Sequence, residues 1–298
     1  MCTIYIIMYV CRTRRGESQL YLYKKTINGK DIQIADYPGE KGPIIAIHGL
    51  TGTHKNMHYY AERFKGEYRF IAVDLRGRGN SAPTDMHPSI FNHGEDIIQL
   101  INELNVERPI LLGHSMGAFI SAYVASKLPF IQSVILLDGA AEMSKHQRAI
   151  VKPSLGRLSK KYDNKEQYVT EIQGIYSNLG ITWNETLRNA VEYEVEQIED
   201  HWENKSNEAA ILADFESFYA FRHDDILPKI TCPVLLIYAE GQIGSMPPLF
   251  YLEDYNITKK YLEQMETFVS NCNHYTMVFE NRDDISREIE SFLKRGEQ

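Results

Sequence analysis

Residues 108–125 read Arg108-Pro-Ile-Leu-Leu112, then Gly113-His-Ser-Met-Gly117, then Ala118-Phe-Ile-Ser-Ala-Tyr-Val-Ala125. The first block is a short apolar run of strand character, and the third has the composition of a buried helix. Between them lies G-x-S-x-G, the pattern of a strand-to-helix turn that holds a serine out at the end of the strand. Glycine on both sides lets the backbone turn within a few residues. The predicted unit is strand, sharp turn, helix, with Ser115 exposed at the carboxyl end of the strand. Ligands gather at that edge in open α/β sheets.

Working outward, the same type of run recurs at 44–47, 70–73, 109–112, 134–137, 234–237 and 267–269. Continuous apolar runs of this length suit strands covered on both faces, as in a mostly parallel sheet. Helical patterns lie between them near 59–64, 93–104, 118–127 and 286–294. Alternation of this kind predicts βαβ units with right-handed crossovers, hence an α/β fold with a twisted parallel sheet flanked by helices. Upstream, 20–27 and 31–37 read as a hairpin joined by Asn28-Gly29, a strong turn signal. From about 140 to 224 the alternation stops, and the pattern is helical, charged and aromatic. That block is expected to be a helical cap inserted in a core of 1–139 and 225–298. Its acidic stretch from Glu192 to Glu203 reads as a solvated helix face.

Bulk properties narrow the function. The chain has 298 residues, 43% hydrophobic and 24% charged, with a formal net charge of −8. Nucleic-acid binding needs clustered Lys and Arg, and the longest basic run is Arg12 to Arg15, so no nucleic-acid partner is expected. The four cysteines have no metal-ligand spacing, no metal site is expected, and the composition suits a reducing cytoplasm. The apolar stretch from Ile4 to Val10 is too short to span a bilayer, and basic residues follow it rather than precede it. Residues 1–18 therefore read as an N-terminal extension, with no membrane partner. The expected partner is a small-molecule substrate, and the chain is expected to act as a monomer or homodimer.

Ser115 requires a base. Asn271-Cys-Asn-His274 follows the last strand-like run and precedes the C-terminal helix, so among ten histidines His274 is placed at the same sheet edge. His48-Gly-Leu-Thr-Gly52 ends the first parallel strand. The backbone N–H groups of Leu50 and Met116 are candidates for an oxyanion hole. Asp74-Leu-Arg-Gly-Arg-Gly-Asn-Ser81 reads as a structural loop beside the site, with Arg76 expected to pair with a neighbouring carboxylate.

These four motifs, HGLTG, DLRGRGNS, GHSMG and NCNHY in this order, resemble the α/β-hydrolase superfamily over nearly the whole chain apart from the first twenty or so residues and the cap. The resemblance implies the α/β-hydrolase fold, a Ser–acid–His triad in that chain order, a cap over the site, and no metal or organic cofactor. It disfavours the branches that use aspartate at the Ser115 position. Superfamily members commonly carry the acid on the loop after the strand that here reads Val234-Leu-Leu-Ile-Tyr238. The expected position falls on Gln242 or Ile243, neither of which can hold a charge. Two carboxylates remain: Asp138, ending Ile135-Leu-Leu-Asp138, and Glu240. Asp138 is preferred, and in this the chain is similar to the superfamily's acetamidomethylene succinate hydrolase. Either carboxylate would orient His274.

The expected function is a serine hydrolase of the carboxylesterase or amidase kind, cleaving a small ester, lactone or amide through an acyl-enzyme. A C–C bond hydrolase or a cofactor-free peroxidase-like enzyme would use nearly the same residues. A hydrolase-fold binding protein with weak turnover is the alternative of a different class. In the cap, Trp183, Phe218 and Arg222 are the candidate substrate contacts, with Trp202, Phe215, Tyr219, Phe221 and His223 nearby in sequence.

Overall fold

A computed structural model describes residues 19–85 and 87–296. The expected extension over 1–18 lies outside the described residues. Strands β1 (Tyr21–Ile27) and β2 (Lys30–Tyr37) form the anticipated hairpin. Asn28 and Gly29 both have positive φ, 47° and 74°, as a two-residue hairpin turn matched to strand twist demands. There follow β3 (Gly39–Ile47), α1 (His58–Phe64), β4 (Gly66–Val73), α2 (Ile90–Glu103), β5 (Ile110–His114), α3 (Met116–Lys127) and β6 (Ser133–Leu137).

The segment after β6 holds helices α4 (Lys145–Ser154), α5 (Lys165–Asn178), α6 (Glu185–Tyr193), α7 (Glu208–Ser217) and α8 (His223–Ile226). It also holds three short strands, β7 (Lys161–Tyr162), β8 (Val195–Ile198) and β9 (His201–Asn204), paired antiparallel in the order β7-β9-β8. The expectation of an all-helical insert, with an acidic helix face over 192–203, is therefore corrected. Ile198 pairs with His201 across a two-residue turn whose first member, Glu199, has φ 51°. Glu196, Gln197 and Ile198 are all exposed. A strand solvated on both faces shows no period-two alternation, so nothing local distinguished it from a polar helix.

The chain then returns through β10 (Val234–Ala239), α9 (Asn256–Tyr261), β11 (Glu266–Ser270), α10 (Thr276–Phe279) and α11 (Asp283–Arg295). The main sheet has eight strands in the order β1-β2-β4-β3-β5-β6-β10-β11, parallel from β4 to β11. Alternate side chains feed two cores. Ile45, Ile47, Leu111, Val134 and Leu136 enter one face, while Ile44, Ala46, Leu112, Ile135 and Leu137 enter the other. All ten are fully buried, and each large aliphatic among them contributes roughly 1.5–3 kcal/mol by leaving water. This explains why the strands lack alternation: both faces are covered. Helix α11 shows the complementary pattern. Ile285, Ile289, Phe292 and Leu293 are buried along one stripe, with Asp283 and Asp284 in the first turn and Lys294 and Arg295 in the last, the polarity that the helix dipole favours. No helix among the described residues is long and apolar enough to cross a membrane.

Candidate active site

The β5–α3 connection turns at Ser115, whose φ of 54° and ψ of −114° are sparsely populated by non-glycine residues. The surrounding packing imposes this. A side chain on Gly113 would lie 2.1 Å from the Gly117 carbonyl oxygen, and one on Gly117 would lie 2.1 Å from that of Ile47. Ser115 N–H donates to Leu137 O (2.9 Å), tying the turn to β6. The serine is thus raised at the N-terminal end of α3, 9% exposed.

His274 sits in the loop between β11 and α10. Asn273 clamps that loop: its side-chain oxygen accepts from Tyr275 N–H and Thr276 N–H (both 2.9 Å). Its amide donates to Leu179 O (2.9 Å) and Gln242 O (3.2 Å). His114 Nε2 donates to the His274 carbonyl (2.9 Å), and the two rings lie 4.7 Å apart. Burial and the nearby His274 push His114 well below the usual histidine range, so it is neutral at pH 7.

Asp138, fully buried at the end of β6 with φ 45°, meets His274 Nδ1 at 2.7 Å through Oδ2. Its other oxygen accepts from Tyr255 O–H (3.0 Å) and Ala239 N–H (3.3 Å). A buried carboxylate needs such partners. With Nδ1–H donated to Asp138, Nε2 is the basic nitrogen of His274. Glu240 is exposed, with its backbone N–H on Ser270 O. Gln242 is also exposed, and Ile243 is in the core.

The segment carrying Leu50 is held from below. His48, fully buried, donates Nδ1–H to Gly49 O (2.7 Å) and accepts Leu75 N–H (3.0 Å). Burial brings its pKa down to about 3. Asp74 accepts from His54 N–H (2.8 Å), His54 Nδ1 (2.7 Å), Asn80 N–H (3.0 Å) and Tyr193 O–H (2.6 Å). Burial alone would raise its pKa, but His54 and these hydrogen bonds bring it to about 2. Arg76 pairs with Asp96 and Asp85 as anticipated.

Ser115, His274, Leu50 and His114 line one cavity, which encloses about 770 Å³ of empty space with its open mouth included. The insert supplies Met143, Val151, Leu155, Phe215 and Phe218 to its wall, with Tyr176 and Glu194 as polar members. Of the three expected contacts in the insert, only Phe218 lines the cavity, stacked on Phe119 at 5.1 Å. Trp183 is not among the lining residues and instead packs edge-on to Tyr176, behind the cavity wall. Arg222 is a solvent-facing side chain paired with Asp224 at 3.0 Å. Both assignments are corrected: which side of a short helix or loop faces the cavity depends on packing that residue type does not encode. Tyr255, Arg78 and Asp214 escaped the sequence reading because their partners are distant along the chain. The one local signal was a second arginine between two glycines, Gly77-Arg78-Gly79. Among the described residues no group of three or more His, Cys, Asp or Glu is placed to hold a metal ion.

The model of the α/β hydrolase fold matches residues 42–280. The chain belongs to that family. An N-formylmaleamate deformylase of Pseudomonas putida is 26% identical over 217 residues, 71% of this chain and 75% of its own. A dihydrolipoyllysine-residue acetyltransferase component of an acetoin cleaving system, also from Pseudomonas putida, is 31% identical over 107 residues. That match is 36% of this chain and 29% of the relative. A Haemophilus influenzae relative is likewise matched over only 33% of its own length. Among solved structures, E-2-(acetamidomethylene)succinate hydrolase superposes with a TM-score of 0.81 at 19% identity, covering 92% of this chain and 99% of the other. The fold of this α/β hydrolase family member is thereby shared with that enzyme.

Proposed function

We propose that this chain is a serine hydrolase that cleaves a small carboxylic ester, lactone or amide through an acyl-enzyme. The observation that carries the reading is the 2.7 Å contact between Asp138 and His274, on the cavity that Ser115 also lines. In this reading Ser115 Oγ attacks the substrate carbonyl carbon while His274 Nε2 takes its proton. The N–H groups of Leu50 and Met116 stabilise the oxyanion, and Asp138 offsets the imidazolium charge. His274 returns the proton to the leaving alcohol or amine as the C–O or C–N bond breaks. Water, deprotonated by the same nitrogen, then releases the acid and restores Ser115. The insert acts as a cap whose Phe215 and Phe218 favour an apolar group on the substrate. The hydrolase names of the deformylase and succinate hydrolase relatives support hydrolysis as the reaction. The free thiols of Cys232 and Cys272 suit a cytoplasmic protein.

The test is labelling with a fluorophosphonate probe, with mass spectrometry to locate the adduct. Rapid modification of Ser115 that disappears in His274→Ala is the expected result. A folded protein that takes no label would remove the enzyme reading and put a hydrolase-fold binding protein in its place.

A further inference from the structure

Behind the two backbone groups assigned to the oxyanion lies a fully buried arginine that the mechanism above does not use. Arg78 Nε and Nη2 both donate to the Leu50 carbonyl, at 3.1 and 3.0 Å. Nη1 donates to Arg76 O at 2.9 Å, and Nη2 lies 4.0 Å from Met116 Sδ. One guanidinium therefore touches both residues whose N–H groups would hold the oxyanion. Its counter-ion comes from the insert: Asp214 on α7 meets Nη2 at 2.6 Å, with both side chains at 0% exposure. Asp214 is also within 3.1 Å of His93 Nε2 on α2.

Helix α7 has a second role at the same place. Phe215, next to Asp214, and Phe218, in the turn that follows, form part of the cavity wall. Ser217 Oγ accepts the Ile90 N–H at 2.9 Å, fastening the end of α7 to the start of α2. The helix that supplies Phe215 to the cavity wall is thus joined, through one ion pair, to the guanidinium that holds the peptide carbonyl of Leu50.

We infer that Arg78 is a positioning residue and that its ion pair with Asp214 couples the seating of α7 to the geometry of the Leu50 segment. The inference rests on the proposed hydrolase reading. The planar fork of arginine accounts for the choice of side chain: it reaches one carbonyl with two N–H groups, a second carbonyl with another, and a carboxylate from the same plane. Lysine offers a single ammonium that cannot span these partners. Removing the fork leaves Leu50 O free to rotate, and displacement of a catalytic group by about 1 Å costs on the order of 10²-fold in rate.

The experiment compares wild type, Arg78→Lys, Asp214→Asn and Asp214→Glu on p-nitrophenyl butyrate, with butylboronic acid as inhibitor. The boronic acid forms a tetrahedral anionic adduct on the serine and so reports oxyanion stabilisation apart from ground-state binding. Arg78→Lys is expected to lower kcat about 10- to 100-fold and to raise the inhibitor Ki by a similar factor. KM should stay within about threefold of wild type, because ground-state contacts are kept. Asp214→Glu should recover most of the activity that Asp214→Asn loses. Unchanged kcat and Ki in folded Arg78→Lys, or a loss wholly in KM, overturns the inference. Should Arg78→Lys not fold, the two Asp214 variants are scored in the same way. A wild-type protein that neither hydrolyses the ester nor takes the fluorophosphonate label removes the hydrolase reading, and this inference falls with it.

Discussion

Two buried histidine–aspartate pairs have nearly the same contact and opposite surroundings. In each, a histidine Nδ1 lies 2.7 Å from a carboxylate oxygen, His274 from Asp138 and His54 from Asp74. The His54 ring packs edge-on to Tyr193 at 5.1 Å. Its aspartate is saturated by two backbone N–H groups, the imidazole and a phenol. The His274 ring instead borders the cavity that Ser115 lines. A short histidine–carboxylate contact is therefore no sign of chemistry by itself. What lies on the far side of the imidazole separates a candidate base from a structural clasp.

The sharpest way to break the comparison is to remove each carboxylate. Asp138→Asn is expected to lower kcat by about 10⁴-fold, because an amide cannot hold the correct tautomer or offset the imidazolium. Glu240→Gln, at an exposed position, should leave ester hydrolysis within twofold of wild type. Near-normal turnover in Asp138→Asn would return the role to Glu240 or abolish it.

Asp74→Asn should do the reverse, lowering kcat less than tenfold while costing stability. The Asp74 pKa is held at about 2 against an ordinary value of 3.8, a difference of roughly 2.5 kcal/mol in favour of the folded state. Because the folded value is the lower one, this contribution is whole above about pH 4 and is lost as pH falls through about 2. Denaturant titrations of wild type and variant should therefore differ by that amount at pH 7 and converge towards pH 2. Equal stabilities at neutral pH would show that the clasp adds nothing.

How far these pairs were legible in the sequence follows from the range of the forces involved. The strand–turn–helix around Ser115 is local: glycine spacing and flanking apolar runs specify it within eighteen residues, so its geometry was anticipated. The sheet edge for His274 followed from strand order. Asp138 could be placed at that edge, but only tertiary packing separates it from Glu240. The His54–Asp74 clasp left no trace, since twenty residues and a strand separate its members and Tyr193 closes it from another element. The β8–β9 hairpin left no period-two signal because Glu196, Gln197 and Ile198 are exposed in succession and the four residues of β9 are all half-buried. Trp183 and Arg222 were misplaced for a related reason: residue type states what a side chain can do, and packing decides where it points.

Tyr255 offers the finest test of the difference between the pairs. Each aspartate accepts one phenolic O–H, Asp138 from Tyr255 at 3.0 Å and Asp74 from Tyr193 at 2.6 Å. Removing the first should be felt in rate and removing the second in stability. In Tyr255→Phe the Asp138 carboxylate keeps His274 and the longer bond from Ala239, and the cavity loses no lining group. The expected effect is about tenfold in kcat, or about 1.4 kcal/mol in the barrier, with KM unchanged. A stability loss with kcat and KM both intact would give Tyr255 a purely structural role like that of Tyr193. The two clasps would then differ only in what their histidines face.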